Sequence, residues 1–213
     1  MFRLKDVKFK DILDIKDTNI KKNEVTAIIG KSGSGKTTIL RLLNKMTSPD
    51  SGSIYFKEED IKNLDSIELR RKVQMLSQFP IIFKGNIRDN LNIGLKFMDE
   101  NPKSDEELSK VLNKVHLNKS LDENSKNLSG GEKQRLCIGR IVLSNPEVFL
   151  FDEPSSSLDE DTEKIIIDSL VNHIRSCDKT LVFVTHSLDM AYEYADTILE
   201  IVNKDLKERR NEK

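Results

Sequence analysis

Residues 30 to 37 read Gly30-Lys31-Ser32-Gly33-Ser34-Gly35-Lys36-Thr37, a full match to the pattern G-x-x-x-x-G-K-[ST]. Each residue type has a use against a triphosphate. Glycine lacks a Cβ, so the backbone can turn its N–H groups inward around phosphate oxygens. The Lys36 ammonium would reach the β- and γ-phosphates, and the Thr37 hydroxyl would ligate Mg²⁺. Thr38 follows inside the first turn of a predicted helix. Far downstream, Asp152 and Glu153 end the apolar run Val148-Phe149-Leu150-Phe151. A carboxylate there can hold Mg²⁺ opposite Thr37, directly or through water, although a strand-end cap is an equally ordinary role for Asp152. Side chains alternate along a strand, so Glu153 should point away from Asp152 and be free to orient and deprotonate a water molecule. The competing reading is an acidic turn before Pro154.

These groups need rigid elements to hold them. Val25 to Ile29 is a short β-branched, apolar run of the kind buried on both faces of a parallel sheet, and Thr38 to Lys45 carries apolar residues at helical spacing. The glycine loop therefore sits between strand and helix, the context its pattern requires. Val73 to Ser77, Val148 to Phe151 and Thr180 to Thr185 are further strand candidates separated by helical patterns, the alternation of a parallel core. Leu4 to Phe9, Ile12 to Ile20 and Ile54 to Phe56 suggest an antiparallel flank. Between Gln78 and Ser129 the pattern turns helical: Asn86 to Ile93 is one segment, and Ser104-Asp105-Glu106-Glu107 resembles a capping box opening a second, with Leu108, Val111, Leu112 and Val115 along one face. The expected architecture is α/β: a mostly parallel core sheet, an antiparallel β flank and a helical sub-lobe over about 79–145, all in one domain over 1–213. Residues 204–213 are almost all polar or charged and are expected to fray.

Composition narrows the class by exclusion. With 213 residues, 35 Lys plus Arg and 36 Asp plus Glu, the chain has no field that would gather nucleic acid or an anionic surface. Cys137 and Cys177 lack metal-ligand spacing and read as reduced thiols, as in the cytosol. The first residues are charged where a signal peptide needs an apolar core, and no apolar run is long enough to span a bilayer.

The remaining motifs carry a family resemblance. Leu128-Ser129-Gly130-Gly131-Glu132-Lys133-Gln134-Arg135 resembles the signature motif of ATP-binding cassette (ABC) ATPases, and Val148 to Pro154 resembles their second acidic motif. Gln78, in Leu76-Ser77-Gln78-Phe79-Pro80, stands where that family has its Q-loop. Ser156-Ser157-Leu158-Asp159 resembles the D-loop, and Val184-Thr185-His186-Ser187 the switch-histidine segment. With the glycine loop, these motifs follow the family order over nearly all of the chain.

The resemblance implies a P-loop ATPase that binds ATP and Mg²⁺, with Glu153 as general base and His186, placed after the last core strand, contacting γ-phosphate. It implies that Gln78 touches metal or water and reports nucleotide state to the helical lobe. It implies that Ser129, Gly130 and Gly131 face ATP held by a second subunit, in a head-to-tail dimer, with homodimer the expected form. Asp159 would lie at that seam. From the residues alone, Ser129 is an N-cap of a helix starting near Glu132, and Asp159 an N-cap of a helix over Glu160 to Ile174. The resemblance further implies an integral membrane permease as partner, placing the cassette on the cytoplasmic face of the membrane with no nucleic acid bound. Phe79 to Phe83 are candidates for docking that permease, against the alternative that they are core. Pro80 to Leu91 resembles a stretch of exporter cassettes and of small stand-alone bacterial cassettes linked to iron export. One departure concerns the base: the aromatic that often stacks on adenine after the first strand is missing, and Phe9 is the nearest substitute. The other readings open to such a chain are a soluble ABC protein acting on ribosomes or DNA, and a noncatalytic ATP-binding regulator.

Overall fold

The computed structural model describes residues 1–154 and 160–209. Strands β1 (Phe2–Phe9), β2 (Leu13–Ile20) and β3 (Val25–Ile29) lead into helix α1 (Lys36–Leu43), followed by β4 (Ser51–Phe56), β5 (Glu59–Asp60), α2 (Ser66–Lys72) and β6 (Val73–Leu76). Three helices come next, α3 (Ile87–Phe97), α4 (Asp105–Lys114) and α5 (Gly130–Ser144), with a 3₁₀ turn at Ser125–Asn127 before the last. The chain then returns through β7 (Val148–Asp152), α6 (Glu160–Ser176), β8 (Thr180–Val184), α7 (Leu188–Tyr194), β9 (Thr197–Val202) and β10 (Asp205–Arg209).

Two sheets result. One is antiparallel, in the order β2-β1-β4-β5; the other has the order β10-β9-β3-β8-β7-β6 and is parallel from β9 to β6. In β3, β7 and β8 every residue is buried, which is why those runs, apart from Asp152 at the end of β7, are apolar or β-branched rather than alternating. One core cluster joins Ala27, Phe149 and Phe183 of the sheet to Leu91, Leu112 and Ile138 of α3, α4 and α5. A second packs α1 between the opposite sheet face and the antiparallel flank, through Ile39, Leu42, Ile28, Leu4 and Ile15. The helical stretch between β6 and β7 is capped as its sequence suggests: Ser104 Oγ accepts from the Glu107 N–H while the Glu107 carboxylate accepts from the Ser104 N–H.

Two sequence expectations are corrected. Thr180–Val184 is not the last core strand: β8 lies in the interior, between β3 and β7, and β9 pairs in parallel with β3 beyond it. The tail does not fray from residue 204. Asn203 and Lys204 both take positive φ, 50° and 70°, making a tight hairpin of the kind whose twist suits paired strands. β10 then pairs with β9, buries Leu206 in the second core cluster, and ties to β2 where the Lys16 N–H donates to Asp205.

Candidate functional site

The glycine loop leaves the C-terminal end of β3 and turns into α1, the edge where parallel sheets gather ligands. Gly35 is the N-cap of α1 at φ 104°, and a Cβ there would come within 2.8 Å of Ile12 Cγ2 and 2.9 Å of Leu13 Cδ2. A Cβ on Gly30 would meet Ser34 Oγ at 2.8 Å. The loop is thus folded too tightly for side chains at these two positions. The first turn of α1 carries no acid, in contrast to α3 and α4, so its unpaired N–H groups leave a positive end facing the loop. Lys36 folds back over the loop, its Nζ donating to the Gly30 and Lys31 carbonyls at 3.0 and 3.2 Å.

A cavity of about 290 Å³ opens here, lined by Ser32, Gly33, Ser34, Gly35, Lys36, Thr37 and Thr38 together with Ile12, Gln78, Asp152, Glu153 and Val184. Gly30 and Lys31 line an adjoining cleft on the other side of the loop, which also shares Ile12. The Thr37 hydroxyl donates to Asp152 Oδ1 at 3.0 Å. Burial pushes the Asp152 carboxyl above the ordinary range, the Thr37 hydrogen bond pulls it back, and the Glu153 charge pushes it up again. A hydroxyl and a buried carboxylate converge in a cavity that Gln78 also lines, and their oxygens are hard donors of the kind that fit Mg²⁺.

Glu153 departs from the strand. Its backbone sits at φ 49°, a left-handed conformation costing a non-glycine residue about 1–3 kcal/mol. Its N–H donates to the Val184 carbonyl at 3.1 Å, so the turn is held against the end of β8. Glu153 Oε2 lies 2.8 Å from His186 Nδ1. The imidazole is largely exposed while Glu153 is shielded, 78% against 14% side-chain exposure, so His186 covers the carboxylate from the solvent side.

The signature residues lie elsewhere. Ser129 caps α5, its Oγ accepting from the Glu132 N–H at 3.3 Å, and the helix opens at Gly130, two residues before the position the sequence suggested. Ser129, Gly130 and Gly131 do not line the nucleotide-loop cavity. Asp159 and the rest of the D-loop resemblance lie outside the described residues.

Sequence reasoning missed Ile12. Phe9 is half-buried against the second core cluster, whereas Ile12 lines both cavities at the loop and packs on Gly35. The sequence marks Ile12 only as the first residue of a strand candidate, whereas it lies in the turn just before β2, and nothing in the strand pattern points to the cavity. The hydrophobic run after Gln78 divides: Phe79 and Ile81 are exposed at 78% and 62%, Ile82 packs on the core, and Phe83 lines a groove of about 530 Å³ with Met46, Ile67, Phe97 and Met98.

Comparison with known proteins gives the family. The family model described as "ABC transporter" matches residues 13–156. The chain is 37% identical over 191 residues to ABC transporter I family member 17 of Arabidopsis thaliana, covering 89% of this chain and 72% of that protein. It is 39% identical over 207 residues to the phosphate import ATP-binding protein PstB 3 of Natronomonas pharaonis, covering 90% and 73%. Among solved structures, the dimeric post-hydrolysis state of the ATP-binding cassette MJ0796 bound to ADP and Pi superposes with a TM-score of 0.88 at 27% identity, over 100% of both chains. A bacterial Atm1-family ABC exporter with ATP bound gives the same TM-score and identity over 99% of this chain and 39% of that one. The chain belongs to the ABC transporter family, as an ATP-binding cassette of the P-loop ATPase fold.

Proposed function

We propose that this cassette hydrolyses Mg²⁺-ATP at the seam between two copies and so drives a membrane permease. The observation carrying the proposal is the composition of the cavity: the glycine loop, Asp152, Glu153 and Gln78 share it, while Ser129 to Gly131 do not. One chain then supplies half of a site, and the signature segment of a second chain closes it. Thr37 and Asp152 would hold Mg²⁺, which when bound offsets phosphate charge. Lys36, released from the Gly30 and Lys31 carbonyls, would bind the β- and γ-phosphates. Glu153 would take the proton of the attacking water, with His186 orienting the carboxylate and Gln78 lining the same face. Asp159 is assigned to the dimer seam by family order alone.

Partner and location follow the same reading. No helix among the described residues is long and apolar enough to cross a membrane. The apolar groove beside Phe83 adjoins the segment that carries Gln78, so a cytoplasmic segment of an integral membrane permease seated there would touch the nucleotide site through one loop. The cassette would then be peripheral on the inner face of the membrane.

Glu153→Gln tests the chemistry. ATP binding should persist, phosphate release should fall by about 10²-fold or more, and ATP should shift the protein to a dimer in size-exclusion chromatography. Unchanged turnover would remove Glu153 as the base. Native co-purification tests the partner: an integral membrane protein supports transport, and recovery with ribosomes or DNA supports a soluble ABC protein instead.

A further inference from the structure

The stretch from Pro80 to Leu91 supplies no group to the nucleotide cavity, yet it is fastened with unusual density. Residues 79–84 make no backbone-to-backbone hydrogen bond among the described residues. Side chains hold them instead. Asn90, fully buried on α3, accepts from the Phe83 N–H at 2.8 Å through Oδ1 and donates to the Phe83 carbonyl at 3.0 Å through Nδ2. The Ser125 hydroxyl is shared between the Phe83 and Gly85 carbonyls, at 3.2 and 2.7 Å.

Arg140, on α5, completes the arrangement. Its Nη1 donates to the Ile81 carbonyl at 3.1 Å, its Nε to the Asn90 carbonyl at 2.8 Å and its Nη2 to Asn90 Oδ1 at 3.1 Å, with the guanidinium 4.9 Å from the Phe83 ring centre. No carboxylate pairs with it among the described residues. A shielded cation without a counter-ion is costly, and apart from Cys137 on its own helix, Arg140's partners belong to the loop or to the residue that grips the loop. The same helix touches the catalytic strand end, where Gln134 Nε2 donates to the Pro154 carbonyl at 3.3 Å. About 16 Å separates Arg140 from Ser129 along α5.

We propose that Arg140, through Asn90, is a positioning residue that locks the Gln78 loop to α5, so that Gln78 and Ser129 move as one body. This rests on the reading that Gln78 meets the nucleotide. The planar fork serves three acceptors on two segments; an ammonium in its place is a point donor that cannot span them. Without the lock, ATP no longer orders the loop against α5, and α5 stays behind. ATP would still bind, but the signature end would be presented poorly.

Arg140→Lys and Arg140→Met, compared with wild type, test this by steady-state ATP hydrolysis and by hydrogen exchange of amides 79–86 with and without Mg²⁺-ATP. Wild type should gain protection in that loop on adding ATP. Arg140→Lys should keep KM for ATP within about twofold, lose about tenfold in kcat, and lose the ATP-dependent protection while the rest of the chain exchanges as before. Arg140→Met should do the same more strongly. Wild-type kcat or wild-type loop protection in Arg140→Lys overturns the proposal alone, leaving Gln78 at the nucleotide. A wild-type loop indifferent to ATP removes the Gln78 reading and the proposal together. Uniformly faster exchange, or failure of both variants to fold, makes Arg140 a stability residue and also overturns it.

Discussion

His186 Nδ1 sits 2.8 Å from Glu153 Oε2, and the two residues reach each other from the ends of adjacent parallel strands, β8 and β7. The pairing fixes which way the carboxylate faces. His186→Ala removes the only hydrogen bond to that carboxylate from a side chain among the described residues, without touching the glycine loop. Expected in a coupled phosphate-release assay is a fall in kcat of about 10–100-fold with KM for ATP nearly unchanged. A raised KM at constant kcat would instead assign His186 to ground-state nucleotide binding.

Asp152 is held partly against its own stability. Burial raises its carboxyl above the unfolded value, so the folded state favours the neutral form. The favourable contribution is complete below the unfolded pKa and is lost as pH rises through the folded one; at neutral pH the ionised group is a net cost. Asp152→Asn should therefore raise Tm of the nucleotide-free protein by about 2–4 °C at pH 7, with the difference shrinking toward pH 4. Mg²⁺-dependent hydrolysis should fall at the same time. Scanning calorimetry over that pH range checks the sign, and a lower Tm at pH 7 would contradict it.

Phe79 is 78% exposed beside the apolar groove, an arrangement that costs nothing when a partner covers it. Phe79→Asp should leave basal ATP hydrolysis of the isolated cassette within about twofold and abolish retention of the membrane partner on native purification. Partner retention at the wild-type level would move the docking surface off this groove.

Leu206 is 4% exposed and is the inward anchor of β10. Leu206→Ala should cost about 2–4 kcal/mol in urea denaturation, as for other buried leucines. A loss below about 0.5 kcal/mol would show that the hairpin contributes little to the core.

That strand also shows where sequence patterning stops being readable. The core strands around Ala27, Phe149 and Val182 announce themselves because both faces are buried and no charged residue interrupts them. β9 is broken by half-exposed Glu200, which pairs with Arg209 across the hairpin, and β10 carries one buried apolar residue among charges. Its existence depends on pairing with a strand already in place, a tertiary cause that a local reading cannot see. The site followed the same division. Lys36, Thr37, Asp152 and Glu153 were legible because their chemistry fixes residue type and spacing, and the folded chain brings them to one cavity. Ile12 contributes shape alone, and Arg140 acts through carbonyl groups whose position only the fold determines.

The capping geometry at Ser129 bears on why a serine stands there. Its oxygen accepts the Glu132 N–H and so terminates α5, a task aspartate performs equally well. A hydroxyl, however, keeps its proton, and an oxygen that accepts from its own helix can still donate outward. Aspartate would cap the helix and meet an incoming phosphate with a second negative charge. On the proposed reading, the choice between two good caps would be made by the molecule that arrives from outside the chain.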